Sequence, residues 1–421
     1  MVHIDYNLRE NLTGEPHQTK RRFLPAKPTT WLIKAVQAIV RAELSLNNKV
    51  QLIEEELAVL RNLPKGSGAI ITSNHADETD PRVCIELSRR SGKRFISMCN
   101  REAFDEAFGL AGWTLQRLGH FSVERGAHDV LAKDYAVDVI KQGQDILVIF
   151  PEGEIFYLNE AVQPFHSGAI EIGMQAILHH RKTDANWTTY IVPMAIKYHH
   201  SEPIESILEK RIAKMEARLS VKSSQGSLPE RLHALQKLLI EREEMIHHIN
   251  FDARRAQDLT QEIISAQNAI LSEVEERLHE PAEVQRHPID KSWQLSAEIR
   301  DALEQQANSK QKAELLQDIA SLEEVAQLSS WQPHYYSNAG ASSDRLAEAV
   351  LKLERELYKV KRPRQLANRN VFVKLADPID LGLYVAEYLK DPHSVRHRVT
   401  NQLQATIQSL IDQLASVPPQ K

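Results

Sequence analysis

Between about residues 66 and 198, short apolar runs alternate with amphipathic stretches. GAIITS (68–73), RFISMC (94–99), HFSV (120–123), DILVIF (145–150) and TYIVPMAI (189–196) are too short for buried helices and rich in β-branched and aromatic residues, so they predict strands. The stretches between them, 81–90, 102–118, 127–142 and 167–180, carry apolar residues at helical spacing and predict helices. Strands alternating with helices imply an α/β fold with a mostly parallel central sheet flanked by helices. In such sheets ligands sit beyond the carboxyl ends of the strands.

The flanking regions read differently. Residues 1–28 are polar and irregular, and a helix is expected over 31–46, where the apolar residues Leu32, Val36, Ile39 and Val40 recur at helical spacing. From about 201 to 361 the pattern is helical. One stripe holds Ile204, Leu208, Ile212, Met215 and Leu219, a second Leu232, Leu235, Leu239, Ile246 and Ile249, and a third Ile263, Ile270, Val274 and Leu278. Breaks fall at Gly226, Pro281, Pro288 and the segment 337–343. Such stripes imply a helical bundle or an antiparallel coiled coil. NVFVKLADPIDL (370–381) then returns to strand character, and a last helix carries Val395, Val399, Leu403, Ile407, Leu410 and Leu414. A strand after so long a helical block implies a long all-helical insertion into the α/β fold, bordering the mouth of the site. The expected organisation is 1–50 as a basic, amphipathic lead, 51–200 as the α/β domain, 201–366 as the insertion, and 367–421 as the last strand and a closing helix. The insertion's apolar seam is expected to pack on itself, with a second copy of the chain as a candidate partner.

Composition narrows the function. The chain has 421 residues, enough for two or three structural units. Its net charge of -5 argues against general nucleic-acid binding. Two cysteines, Cys84 and Cys99, make no disulfide framework, and a reducing, cytoplasmic compartment is expected. No run approaches the roughly 20 apolar residues of a membrane span, and MVHIDYNLRE has no signal-peptide apolar core. Lys20, Arg21, Arg22, Lys27 and Lys34 form an acid-free basic run leading into Trp31, Leu32, Val36 and Ile39, which predicts either peripheral attachment to the inner face of a membrane or a helix packed on the α/β domain.

Four segments carry chemistry. In SNHADETDP (73–81), His75 follows a strand and Asp80 precedes a helix. Five residues apart, a carboxylate can reach an imidazole across one tight loop, fix its tautomer and prepare it as a general base. Asp80 before Pro81 equally suits a helix N-cap. In IFPEGE (149–154), a strand runs into Pro-Glu-Gly, where Gly153 lets main-chain N–H groups approach a ligand, or forms a plain β-turn. GHFSVER (119–125) places Arg125 past a strand end, where a guanidinium holds phosphate or is merely solvated. IVPMAI (191–196) has Pro193 inside an apolar strand, as at an edge, a bulge or a site wall. The pairs at 179–180, 199–200 and 247–248 do not converge as metal ligands, because helical neighbours point about 100° apart.

Together these segments resemble the ordered motifs of the glycerol-phosphate and lysophosphatidate acyltransferases. Asn74, His75, Asp80 and Pro81 match NHxxxxD-Pro, and Phe150, Pro151, Glu152 and Gly153 match FPEG. Gly119, Val123 and Arg125 match GxxFIxR with Ser122 where Phe is usual, and Pro193 matches the fourth motif. The resemblance implies an O-acyltransferase of the 1-acylglycerol-3-phosphate type. His75 would be the base and Asp80 its partner, while Asn74, Arg125, Glu152 and Gly153 would help bind the acceptor. The donor would be acyl-CoA or an acylated acyl carrier protein, with no metal and no bound cofactor.

One departure bears on the acceptor. The family continues FPEG with Thr-Arg-Ser, whereas this chain reads Glu154, Ile155, Phe156. His166 stands where Phe-Lys-x-Gly has Lys. The acceptor is therefore a glycerol-phosphate-type lipid or another amphiphilic alcohol. Two other functions remain open: an acyl-thioester hydrolase, and a membrane-associated scaffold with an inactive acyltransferase domain.

Overall fold

The structure is a computed structural model that describes residues 21–221, 226–247, 258–278, 287–304, 309–333, 341–360 and 362–415. Lys20, Ile249, Pro281 and most of 337–343, all used in the sequence reading, lie outside the described residues. The chain divides into two compact units. One is α/β and comprises Arg21–Ile155, Asn159–His199 and the chain from Arg369 onward; the other is helical and comprises Phe156–Leu158 and His200–Asn368.

In the α/β unit, α1 (Thr30–Asn47) leads to β1 (Asn48–Gln51), α2 (Glu54–Arg61), β2 (Gly68–Ser73), α3 (Asp80–Ser91), β3 (Phe95–Asn100) and α4 (Arg101–Asp105). Then come α5 (Leu110–Leu118), β4 (His120–Val123), α6 (Val130–Lys141), β5 (Ile146–Ile149), α7 (Gly168–His180) and β6 (Thr189–His200). After the helical unit the chain returns as β7 (Arg369–Leu375), β8 (Ile379–Asp380) and a closing helix, Pro392–Ala415. The sheet order is β1-β7-β6-β2-β5-β3-β4, with β8 on β6. β6, β2, β5, β3 and β4 run parallel. At the β6–β7 junction, Ser201 N–H bonds to Asn368 O and Ala376 N–H to Pro193 O. Numbering thus rises along one strand as it falls along the other, so β7 is antiparallel to β6. The sheet is mostly parallel and mixed, as the alternating pattern predicts.

Strand periodicity explains the two-sided burial. Ile70, Leu147 and Ile191 enter one apolar core, with α6, α7 and the closing helix. Their neighbours Ile71, Val148 and Val192 enter the other, with α2 and α3.

Four local expectations are corrected. The helix expected over 102–118 is broken, because Ala107, Phe108 and Gly109 all have positive φ between α4 and α5. Pro193 is not at an edge: β6 lies between β7 and β2, with Pro193 opposite Thr72. Ile246 is exposed rather than buried in its stripe. In the helical unit the stripes do not form a coiled coil. Leu208, Leu235, Ile263, Leu295, Val325 and Leu353, each from a different helix, meet in one globular core.

Candidate active site

The loop 74–79 joins β2 to α3, and three anchors fix it. Asn74 is buried, and its side chain pairs with both main-chain groups of Ile196 on β6, at 2.9 Å each. His75 N–H donates to Glu152 Oε1 at 2.9 Å, which ties the loop to the turn after β5. Arg369 of β7 holds the Asp77 carboxylate with both Nη atoms, at 2.8 and 3.2 Å. Burial works to raise the Asp77 carboxyl, but the Arg369 guanidinium and the Thr79 hydrogen bonds together leave it below its ordinary value.

The His75 ring lies in this frame. Its Nδ1 is 2.8 Å from Asp80 Oδ2, and its face stacks on Phe150 with centroids 4.1 Å apart. Asp80 is fully buried and accepts two further bonds, from Asp77 N–H at 2.9 Å and from Tyr198 Oη at 2.5 Å. It does not cap α3 through its side chain as an N-cap would; the residue before the helix is Thr79, in helical conformation and without a capping bond. The Asp80 carboxylate is thus given to His75, and an accepting carboxylate puts the Nδ1 proton between them. That tautomer leaves the Nε2 lone pair open for a proton. Tyr198 is held well above its ordinary range, first by burial and then by the Asp80 charge, so it stays a donor.

Glu152, Gly153, Arg125 and Glu154 form the neighbouring wall. Glu152 is buried, bridging His75 N–H and Gln163 N–H. Gly153 has φ +75 and closes a turn through its N–H to Phe150 O at 3.1 Å, a conformation that glycine takes without strain. Arg125 Nη1 meets Glu154 Oε2 at 2.5 Å and Gly153 O at 3.1 Å. Burial works to raise the Glu154 carboxyl, and Arg125 pulls it below its ordinary value. The guanidinium expected to receive phosphate is therefore paired with the carboxylate that stands just after the FPEG segment.

His75, Asp80, Glu152, Gly153, Glu154 and Arg125 lie past the carboxyl ends of β2, β5 and β4, as parallel-sheet geometry predicts, while Tyr198 lies within β6 and Arg369 opens β7. Sequence reasoning missed Tyr198, Asp77 and Arg369. Tyr198 is 118 positions from Asp80 and Arg369 is 292 from Asp77, so no local motif signals them. Ser122 also proves structural: its Oγ accepts Leu24 N–H and its N–H donates to Leu24 O, which secures the strand-like segment before α1.

No described helix is long and apolar enough to cross a membrane. No curated protein is similar enough to match the chain. Residues 56–197, which contain the loop, the FPEG turn and Arg125, match the family model described as Acyltransferase, and this segment of the chain is an acyltransferase-family domain.

Proposed function

We propose that the chain moves a fatty acyl group from a thioester, acyl-CoA or an acyl carrier protein, to the hydroxyl of a lipid acceptor, with His75 as general base. The observation that carries this reading is the 2.8 Å contact between His75 Nδ1 and the fully buried Asp80. Nε2 takes the proton of the acceptor hydroxyl as its oxygen attacks the thioester carbonyl carbon. The tetrahedral adduct collapses, the C–S bond breaks, and the leaving thiolate receives the proton from Nε2. The new C–O bond forms without an acyl-enzyme. Asp80 holds the ring and balances the charge of the transient imidazolium, and Tyr198 and Asp77 hold Asp80.

The acceptor follows from the wall beside His75. Glycerol-phosphate-like lipids remain candidates through Asn74, Arg125, Glu152 and Gly153. However, Arg125 is engaged by Glu154, Asn74 is occupied by Ile196, and Glu152 by two main-chain N–H groups. These contacts favour an acceptor alcohol that brings no free phosphate to Arg125. The test supplies a labelled acyl thioester to the purified chain with water alone, with lysophosphatidate, or with an uncharged monoacyl glycerol. Ester product in an acceptor arm, lost in His75→Ala, supports the reading. Release of free fatty acid at the same rate in all arms would identify a hydrolase instead.

A further inference from the structure

On most surface helices the solvent face is polar. On α1 it is apolar. Trp31, Ile39 and Leu46 are 68, 67 and 71% exposed, and Ala35, Ala38 and Ala42 between them are exposed as well. At 3.6 residues per turn these six positions fall on one continuous arc of about 100°. Lys34 and Arg41, both exposed, border that arc along one edge. The helix has a single acid, Glu43, past the opposite edge of the arc, where it accepts Arg82 Nη1 at 2.8 Å.

A second apolar ridge adjoins it. Lys27 N–H bonds to Gln116 O and Thr29 N–H to Arg117 O, which joins the start of α1, where Trp31 stands, to the last turn of α5. α5 exposes Leu110 and half of Trp113, and Arg117 lies over the Trp113 ring at 5.5 Å. Before it, Phe108 is fully exposed on a backbone with φ +56, a conformation that a bulky residue rarely takes. Asp105 beside the ridge is engaged by Arg21 and Arg101, and Glu106 stands at its base.

We propose that this face, α1 together with the Phe108–Trp113 ridge, docks the protein on an anionic lipid bilayer. Tryptophan, phenylalanine and long aliphatic side chains bordered by Lys and Arg are what the water–hydrocarbon boundary accepts, with rings at headgroup level and cations toward lipid phosphates. A second copy of the chain fits less well. It would offer Lys34 and Arg41 few partners, because the nearest acids are already engaged, Glu43 by Arg82 and Asp105 by Arg21 and Arg101. An anionic bilayer turns the same two cations into attraction. The basic run expected to do this in the sequence acts only in part, because Arg21 is withdrawn into ion pairs with Asp105 and Glu124. Leu32 and Val36, expected beside it, are only partly exposed, past the edge of the arc that Ile39 forms.

This inference adds a surface to the proposed lipid acylation and rests on it only for its purpose, since binding is read without turnover. The experiment is flotation of the full chain with vesicles of phosphatidylcholine alone, or mixed with phosphatidylglycerol, at low salt. The wild type is expected to float with the anionic vesicles. Trp31→Ser/Ile39→Ser is expected to lower binding by about tenfold or more, as loss of buried apolar area requires. Lys34→Glu/Arg41→Glu is expected to remove the preference for phosphatidylglycerol. Each substituted side chain is exposed, and circular dichroism should match the wild type in every case. Transfer to a water-soluble acceptor should also be unchanged, so loss of that activity alone would count against the enzymatic reading and not against the surface. Absence of flotation at low salt, flotation indifferent to both pairs of substitutions, or a wild-type dimer that Trp31→Ser/Ile39→Ser converts to monomer would each overturn the proposal.

Discussion

A carboxylate five residues from a histidine is close enough to be read from sequence, and His75 and Asp80 do meet, at 2.8 Å. What makes Asp80 a fixed partner was not readable, because Tyr198 and Arg369 arrive from strands far along the chain. His75→Ala is expected to lower acyl transfer by roughly 10²–10⁴-fold, the usual worth of a positioned base, with the thermal midpoint little changed. Steady-state rates and a melt on the same preparation check both halves. Tyr198→Phe removes one of the three bonds to Asp80 and so tests positioning. The expected result is a lower kcat at nearly constant KM, less severe than for His75→Ala; a larger effect on KM than on kcat would count against that role. Glu154→Gln addresses the acceptor. With its carboxylate gone, Arg125 loses its 2.5 Å charged contact, while Gly153 O and the Glu102 charge still face it, so an incoming anion meets less competition. Phosphate-bearing acceptors are then expected to gain in kcat/KM relative to uncharged ones, by roughly tenfold for one charge-assisted contact. An unchanged ratio between the two acceptor classes would place the acceptor headgroup elsewhere.

At the scale of elements, strands β2 to β6 were legible because their apolar runs are short, dense and bounded by turns. The break between α4 and α5 was not. Glu102 to Leu118 has helical spacing throughout, and only Gly109 hints at the left-handed turn that also takes in Ala107 and Phe108. β1 and α2 were missed because a four-residue strand carries little pattern of its own; its pairing with β7 supplies what its sequence lacks. In the helical unit the stripes were legible, but their convergence was not, since periodicity gives the buried face and not its neighbour. That convergence buries charge. Glu243, Glu324 and Glu356, from three helices, bring carboxylate oxygens within 4.8 Å of one another. Burial first, and Glu356 beside it, push the Glu324 carboxyl up to about 9 from 4.5. A carboxyl raised by folding adds stability that is complete below about pH 4.5 and is lost as pH rises toward about 9. Glu324→Gln keeps the shape and removes the titration. Its thermal midpoint is expected to exceed that of the wild type at pH 8 and to match it closely at pH 5. Equal differences at the two pH values would mean that Glu324 is ionised in the folded protein throughout.

At the scale of the whole chain, the return of strand character at 370–381 was the signal that the sheet resumes after the helices, and β7 does lie beside β6. The strand itself stops at Leu375, and after a short break Ile379–Asp380 continues in the same direction, antiparallel to the start of β6, a refinement that no periodicity marks. The two units also keep separate apolar cores. The residues on both faces of the sheet all belong to the α/β unit, and those of the main helical core all belong to the helical unit. Separate cores predict that the α/β unit folds alone. The junction makes this testable, because Ser201 N–H already bonds to Asn368 O at 2.9 Å across an antiparallel pair. Residues 202–367 can therefore be replaced by a two-residue Asn-Gly turn that continues the ladder. Phe156 and Leu158 need attention in such a chain. Both are buried against Ile289 and Trp293 of the helical unit, and they would be left exposed, so each is changed to Ser. The shortened chain is expected to be soluble, to unfold in one cooperative thermal transition, and to show the mixed circular dichroism of an α/β fold. Logarithmic loop-closure cost favours this direction, since removing a long connection lowers the entropy lost on folding. Aggregation, or a melt without a cooperative transition, would mean that the sheet depends on the helices for its stability and that the two cores are not independent.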